Sequence, residues 1–327
     1  MADRAEQAVA SPDRIEGVLL GAAAGDALGA GYEFGCAPFP TDGRARMIGG
    51  GLGPFAPGEW TDDTAMTVAI AEGLVADGRR ADRGVDLAAI GAHFLDWFRA
   101  DPPDVGNATR AVLAAARDGA DLARAARHHL DVHPRGGAGN GALMRTAPVA
   151  LYHLGVEAAM AETARAVAAL THADPLAGDA CVLWCVGIDR AVREDRLDGV
   201  RDGLAWIPEE RRERWAGWLA EAEAGPPERF RPNGFTVPAL QAAWAACLHT
   251  VADEAAPDRQ LEVALHRAVG IGDDADTVAA IAGALLGGRW GAAAIPAEWR
   301  AMLHGWPGLD ADGLASLART VAGVAEA

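Results

Sequence analysis

Two acidic runs near opposite ends of the chain constrain the fold more than any other feature: Thr61-Asp62-Asp63-Thr64 and Asp273-Asp274-Ala275-Asp276-Thr277. Each is set among Ala, Val, Leu, Ile and Gly, the residues of a protein interior. Carboxylates crowded into an apolar setting repel one another and resist burial, so a fold that gathers them must supply a counter-charge. Carboxylate and threonine oxygens are hard donors, suited to Mg²⁺, Mn²⁺ or Ca²⁺ and poorly suited to zinc or copper. The plainer reading is that each run caps a helix, since Asp and Thr are favoured at helix N-termini. That accounts for either run alone; the pair points to one metal site built from both ends of the chain. The second run is no EF-hand, because Thr277 and Ala279 stand where further ligands would fall and no glutamate closes the loop. Asp274 and Asp276 alternate and are expected to share one side of an extended segment, with Thr277 opening the next helix. Two ions a few ångströms apart can clamp sugar hydroxyls and activate a water, which gives hydrolysis as the reaction class.

The rest of the composition asks for helices. Half of the 327 residues are hydrophobic, enough for a sizeable core, and no low-complexity linker divides them. Alanine and leucine abound, aromatics make up 6%, and β-branched alternation is rare, so the expected fold is all-α, an orthogonal bundle of many helices. Residues 1–13 are polar with no apolar signal region and are read as a disordered tail, with 14–327 as one domain. The net charge of -17 argues against sequence-independent binding to nucleic acid or to an anionic membrane surface, while leaving a modified macromolecule open as a substrate through one local adduct. No apolar run reaches spanning length uninterrupted, so a cytoplasmic monomer with no membrane partner is expected. Cys36, Cys181, Cys185 and Cys247 lack paired zinc spacing and read as core thiols.

Apolar spacing predicts helices at about 15–28, from 61 onward, and at about 85–99, 107–118, 144–154, 157–171, 176–193, 209–223, 237–252, 260–269, 275–287 and 311–325. A loop rich in Gly and Pro joins the first two and carries Glu33; another runs from Gly225 to Pro238. His133-Pro134-Arg135-Gly136-Gly137-Ala138-Gly139-Asn140-Gly141 is the second notable stretch. Its glycines leave backbone N–H groups open to a ligand, and a helix reading from Ala142 would turn its anion-favouring end toward a phosphate. It is neither a Walker loop nor a dinucleotide fingerprint, and a plain connector explains it as well. His128, His129 and His133 read as surface residues, and Trp206, Trp215 and Trp218 as helix packing.

Taken in order, Gly25-Asp26-Ala27-Leu28-Gly29 with Glu33, Trp60-Thr61-Asp62-Asp63-Thr64, Gly139-Asn140-Gly141-Ala142-Leu143-Met144-Arg145, Thr171-His172 and Gly272-Asp273-Asp274-Ala275-Asp276-Thr277 resemble the motifs of the ADP-ribosylglycohydrolase family over about residues 14–305. Met47-Ile48-Gly49-Gly50-Gly51 and Pro103-Asp104-Val105-Gly106-Asn107 resemble its dinitrogenase reductase-activating branch. The resemblance implies an all-α hydrolase with two Mg²⁺ or Mn²⁺ ions, cleaving the bond that joins ADP-ribose to an acceptor. By motif position it implies Thr61, Asp62, Asp63, Asp274, Asp276 and Thr277 as metal ligands. Gly139, Asn140, Gly141, Ala142, Met144 and His172 would hold ADP-ribose. Glu33, Asp62 and Asp104 are the carboxylates from which the one that handles the attacking water's proton would come, and Glu33 would be a ligand or a gate. Asp26 would orient neighbours. Arg135 and Gly137 stand where some relatives carry acids; a cation there would repel an arginine acceptor or pair with a phosphate.

Protein arginine is the leading acceptor. O-linked adducts (serine, O-acetyl-ADP-ribose) and nucleic-acid adducts are the alternatives within hydrolysis, and a non-catalytic binding or crystallin-like structural protein is the alternative outside it. Retention of adjacent carboxylates that repel without metal speaks against the last.

Overall fold

The computed structural model describes residues 10–76, 84–134, 138–252 and 259–324. Fourteen α-helices are present among them: α1 (Pro12–Gly29), α2 (Asp62–Val75), α3 (Leu87–Arg99), α4 (Asn107–Ala115), α5 (Leu122–Val132), α6 (Ala147–Tyr152), α7 (Glu157–Ala168), α8 (Pro175–Glu194), α9 (Glu209–Ala224), α10 (Thr236–Ala252), α11 (Gln260–Ile271), α12 (Ala275–Trp290), α13 (Ala297–Met302) and α14 (Ala311–Ala322). The described β-structure is a ribbon of His304–Gly305 and Leu309–Asp310 with a few isolated bridges, so the fold is all-α. Among the described residues no helix is long and apolar enough to cross a membrane.

Two helices are buried almost all round and form the axis of the molecule. From Val18 to Gly29 every residue of α1 is buried, and so is every residue of α12 from Ala275 to Gly288. Helices apolar on all faces belong in a core. They run antiparallel with backbones in contact. A Cβ on Gly21 would stand 2.2 Å from the Gly283 carbonyl oxygen, and one on Gly25 2.1 Å from that of Ala279, so only glycine fits. The seam ends where Gly29 meets Asp276. It thereby delivers the C-terminus of α1 to the N-terminus of α12, where the second acidic run lies. Layers of α8, α10 and α11 flank α12, while α2 and α14 flank α1.

Several boundaries differ from expectation for identifiable reasons. α1 begins at Pro12, inside the segment read as a disordered tail, and the Asp13 carboxylate there accepts from the Ala293 N–H at 3.0 Å; residues 1–9 lie outside the described set. α4 stops at Ala115 because Asp118 caps a new turn, accepting from Asp121 N–H, which leads into α5. α5 was not foreseen, since its buried face is Leu122, Ala125 and Ala126 only. α6 starts at Ala147 because Pro148 lacks the N–H that a start at 144 would require. α14 ends at Ala322 because Gly323 follows at φ 70°, the left-handed stop. The tight helical turn 198–206 and α13 were also missed. Cys181, Cys185 and Cys247 are core thiols, but Cys36 is exposed.

Candidate active site and metal centre

Three helix ends converge on one point. Asp26, fully buried on α1, accepts hydrogen bonds from Thr61 N–H at 3.0 Å, from Thr64 N–H at 2.9 Å and from the Thr64 hydroxyl at 2.6 Å. It satisfies orphan donors at the start of α2 from a neighbouring helix, and so fixes where Asp62 and Asp63 stand. Thr61 is also the N-cap of α2. Opposite, Asp274 stands at the N-cap position of α12 without a side-chain capping bond, and Asp276 and Thr277 occupy the first turn. The helix therefore opens at Ala275, and Asp276 lies within it; the expected extended segment does not form because Asp273, at φ 57°, already turns the chain. The two acidic runs meet directly, with the Thr277 hydroxyl donating to Asp63 Oδ2 at 3.3 Å.

Glu33 joins them. One carboxylate oxygen from each of Glu33, Asp274 and Asp276 falls within 4.8 Å of the others, and all three groups are buried. Glu33 lies at the kink that breaks the tight turns continuing α1 (Ala30–Gly35), its own backbone extended at φ -53° and ψ 132°. Phe34 sits at φ 44° and donates its N–H to the Asp273 carbonyl at 2.6 Å, tying this segment to the second run. Asp273 itself faces away, paired with Arg231 at 2.5 Å, and its carboxyl is held below the usual range. It takes no part in the cluster.

Electrostatics describe a site short of positive charge. Burial first, then the neighbouring carboxylates, pushes Glu33 up to about 9 and Asp62 up to about 8, and raises Asp63 and Asp276 well above the carboxylate range. The Gly106 N–H, just ahead of α4, bonds Asp62 and works the other way. Asp63 Oδ1 is buried with no hydrogen-bond partner. An orphaned carboxylate oxygen, beside further oxygen donors and no bonded cation, is the donor set of a hard divalent ion. Glu33, Asp274 and Asp276, with the Asp63 carboxylate bonded to Thr277 beside them, fit a hard divalent cation.

The cluster floors a cleft of about 360 Å³. Asp62, Asp63, Asp104, Gly139, Asn140, Gly141, Met144, His172, Asp274, Asp276, Thr277 and Glu33 line it. Thr61 lies behind Asp63, and Ala142 is buried beneath the turn without lining the cleft. The expected helix end at the glycine stretch is instead a single tight turn, Asn140–Ala142. Arg135 and Gly137 lie outside the described residues. Asn140 engages protein: its amide donates to Asp274 Oδ2 at 2.8 Å and to the Asn233 carbonyl at 3.1 Å. Asp104 stands half-exposed at the rim, accepting from Val105 N–H at 2.8 Å.

His172 packs under the glycines, its Nε2 3.2 Å from where a Cβ on Gly139 would be. Arg145 donates to the Thr171 hydroxyl at 2.5 Å, and that hydroxyl lies 2.7 Å from His172 Nδ1. A guanidinium only donates, so Thr171 accepts from Arg145 and gives its own proton to Nδ1. His172 then carries its proton on Nε2, facing the glycines. Burial, then Arg145, pushes its pKa down to about 3, which keeps the ring neutral.

Residue types alone did not single out three contributors. Asn233, fully buried, bonds the Asp274 N–H through its side-chain oxygen at 2.9 Å and the Gly272 carbonyl through its amide at 3.1 Å. Phe235 is an exposed aromatic on the cleft wall. Arg145 is a wholly buried cation over the Phe94 ring, 4.5 Å from its centre. A lone arginine within Ala142-Leu143-Met144-Arg145-Thr146-Ala147 was the available signal for the last.

A buried cluster of acids in an all-α frame defines a class, and comparison with known proteins identifies it. The family model described as ADP-ribosylglycohydrolase matches residues 7–327. The chain is 30% identical to the ADP-ribosyl-[dinitrogen reductase] glycohydrolase of Rhodospirillum rubrum over 89% of its own length and 90% of that protein. It is also 30% identical to an ADP-ribosylarginine hydrolase of Pseudomonas putida (strain GB-1), over 88% of this chain and 73% of the other. A solved structure titled ADP-ribosylglycohydrolase-related protein complex superposes with a TM-score of 0.68 at 30% identity, covering 96% of this chain and 99% of that one. The chain belongs to the ADP-ribosylglycohydrolase family.

Proposed function

We propose that this protein is a cytoplasmic, divalent-metal-dependent hydrolase that releases ADP-ribose from protein arginine. The observation that carries the reading is the meeting of the two acidic runs, with Asp63 Oδ2 bonded to Thr277 and Asp63 Oδ1 buried without a partner. The two relatives named above, one of them an ADP-ribosylarginine hydrolase, support arginine as the acceptor.

The reaction adds water across a glycosidic bond. The water oxygen bonds to the anomeric carbon of the ribose, the C–N bond breaks with its electron pair going to the guanidine nitrogen, and a carboxylate takes one proton from the water and passes it to the departing guanidine, which leaves as guanidinium while the ribose keeps the new hydroxyl. Two Mg²⁺ or Mn²⁺ ions held by Asp62, Asp63, Asp274, Asp276, Thr61 and Thr277 would supply the charge that grips sugar hydroxyls and acidifies water. Glu33, Asp62 and Asp104 face the cleft and are the groups that can accept the proton. Gly139 and Gly141 leave room for the ribose and diphosphate, and neutral His172 offers an Nε2 donor beneath them.

Release of ADP-ribose from an arginine-linked ADP-ribosylated peptide tests this. Turnover is expected with Mg²⁺ or Mn²⁺, none with EDTA, and serine-linked and O-acetyl substrates at least about tenfold slower, the scale on which a site discriminates leaving groups it is built to bind. Metal should also raise the melting temperature, because the folded state alone presents the assembled ligand set. Full activity in EDTA, or serine-linked substrate cleaved faster than arginine-linked, would overturn the assignment.

A further inference from the structure

Asp62 and Asp104 stand in two clefts at once. Behind them opens a second cavity of about 610 Å³, separate from the glycine turn and from the α12 ligands. Its apolar wall includes Trp97, Pro103 and Trp306, and its polar wall includes Glu59, Asp101 and Asp310 together with His304, whose Nδ1 lies 2.8 Å from the Met302 carbonyl. Among the described residues no lysine or arginine lines it. The wall is anchored: Trp60 donates its indole N–H to the Trp306 carbonyl at 3.2 Å and its backbone N–H to the His304 carbonyl at 3.1 Å.

We infer that this second cleft is the acceptor subsite, and that it takes an arginine side chain with its flanking peptide. The inference rests on the hydrolase reading above and names the part of the substrate that reading leaves open. A substrate with its ribose over the metal-ligand cluster must extend its leaving group past the reacting carbon, and the second cleft adjoins the cluster across Asp62 and Asp104. The chemistry of the two clefts differs as the two halves of such a substrate do. Exposed glycine backbone suits a diphosphate, whereas carboxylates beside indole suit a guanidinium on an apolar stem. A nucleic-acid acceptor would meet Glu59, Asp101 and Asp310 with its phosphates and be repelled. A serine leaving group is neutral and gains nothing from them.

Steady-state kinetics of Asp101→Lys and Trp306→Ala on arginine-linked and serine-linked ADP-ribosyl peptides test it, with calorimetry of free ADP-ribose alongside. Asp101 is exposed, and because its backbone is left-handed at φ 55° an Asp101→Asn variant, which that conformation tolerates, keeps the test valid if Asp101→Lys or Trp306→Ala folds poorly. Asp101→Lys is expected to raise KM for the arginine-linked peptide about tenfold, the size of one charge-assisted contact exchanged for repulsion, with affinity for ADP-ribose unchanged. Unchanged KM in a folded Asp101→Lys, or an equal rise for the serine-linked peptide, would overturn the subsite while leaving the hydrolase reading intact. A wild-type protein inactive on the arginine-linked peptide would instead remove the reading beneath it.

Discussion

Asp26 shows how a side chain outside the chemistry controls it. Its carboxylate accepts from two backbone donors and one hydroxyl at the start of α2, all in a buried setting. Removal of such an acceptor strands the donors, at about 1–3 kcal/mol for each buried group. Asp26→Ala should therefore lower stability by about 3 kcal/mol in urea unfolding and reduce turnover, because Asp62 and Asp63 lose their register. Asp26→Asn keeps one acceptor oxygen and should fall between the two; an Ala variant as stable as wild type would show that water replaces the carboxylate. At this scale the gathering of Asp62, Asp63, Asp274 and Asp276 was legible from residue type, and the place of Glu33 beside them only from the motif resemblance. Asn233, in a loop without periodicity, was not legible. Its role is to hold the Asp274 N–H, across 41 residues of chain, and only the fold creates that contact.

Among the elements, the α1–α12 seam is the one that builds the site, and it obeys a close-contact rule that spacing alone did not reveal. The alanine and glycine of the first helix suggested close packing, but nothing in the sequence named α12 as its partner. Adding a side chain separates the two cases that glycine can represent. At Gly25 a Cβ would lie 2.1 Å from a backbone oxygen that cannot move without unseating α12. At Gly217, exposed in α9, it would meet nothing within 4 Å. Gly25→Ala should cost about 1–3 kcal/mol by overpacking, and should weaken activity by shifting the metal-ligand end of α12. Gly217→Ala should instead stabilise by about 0.5–1 kcal/mol, by removing freedom from the unfolded chain. Thermal melts of the two variants decide it, and a stable Gly25→Ala would mean the helices can slide apart. α5 was missed for a different reason: it buries only Leu122, Ala125 and Ala126, so one large apolar residue is all that marks a well-segregated face.

Across the whole molecule, residues near the two ends of the chain share one cluster, and that sharing is what a test must probe. If Asp63 and Asp276 each only capped a helix, Asn would serve nearly as well as Asp, each change would be mild and the two would add. In a common ligand set, either change leaves the same incomplete shell. Asp63→Asn and Asp276→Asn are each expected to lower turnover by a factor on the order of 10² or more, with the double variant scarcely worse than either single one. Stability should move the other way in metal-free buffer. Both carboxyls have pKa values raised by burial and by their neighbours, so the folded protein disfavours their charge, and losing one charge relieves the rest. The paired readout separates the explanations, since a variant that merely misfolds loses activity and stability together. Near-normal turnover in both single variants, measured at saturating Mg²⁺ and again at saturating Mn²⁺, would dissolve the shared centre and leave two capped helices that happen to touch.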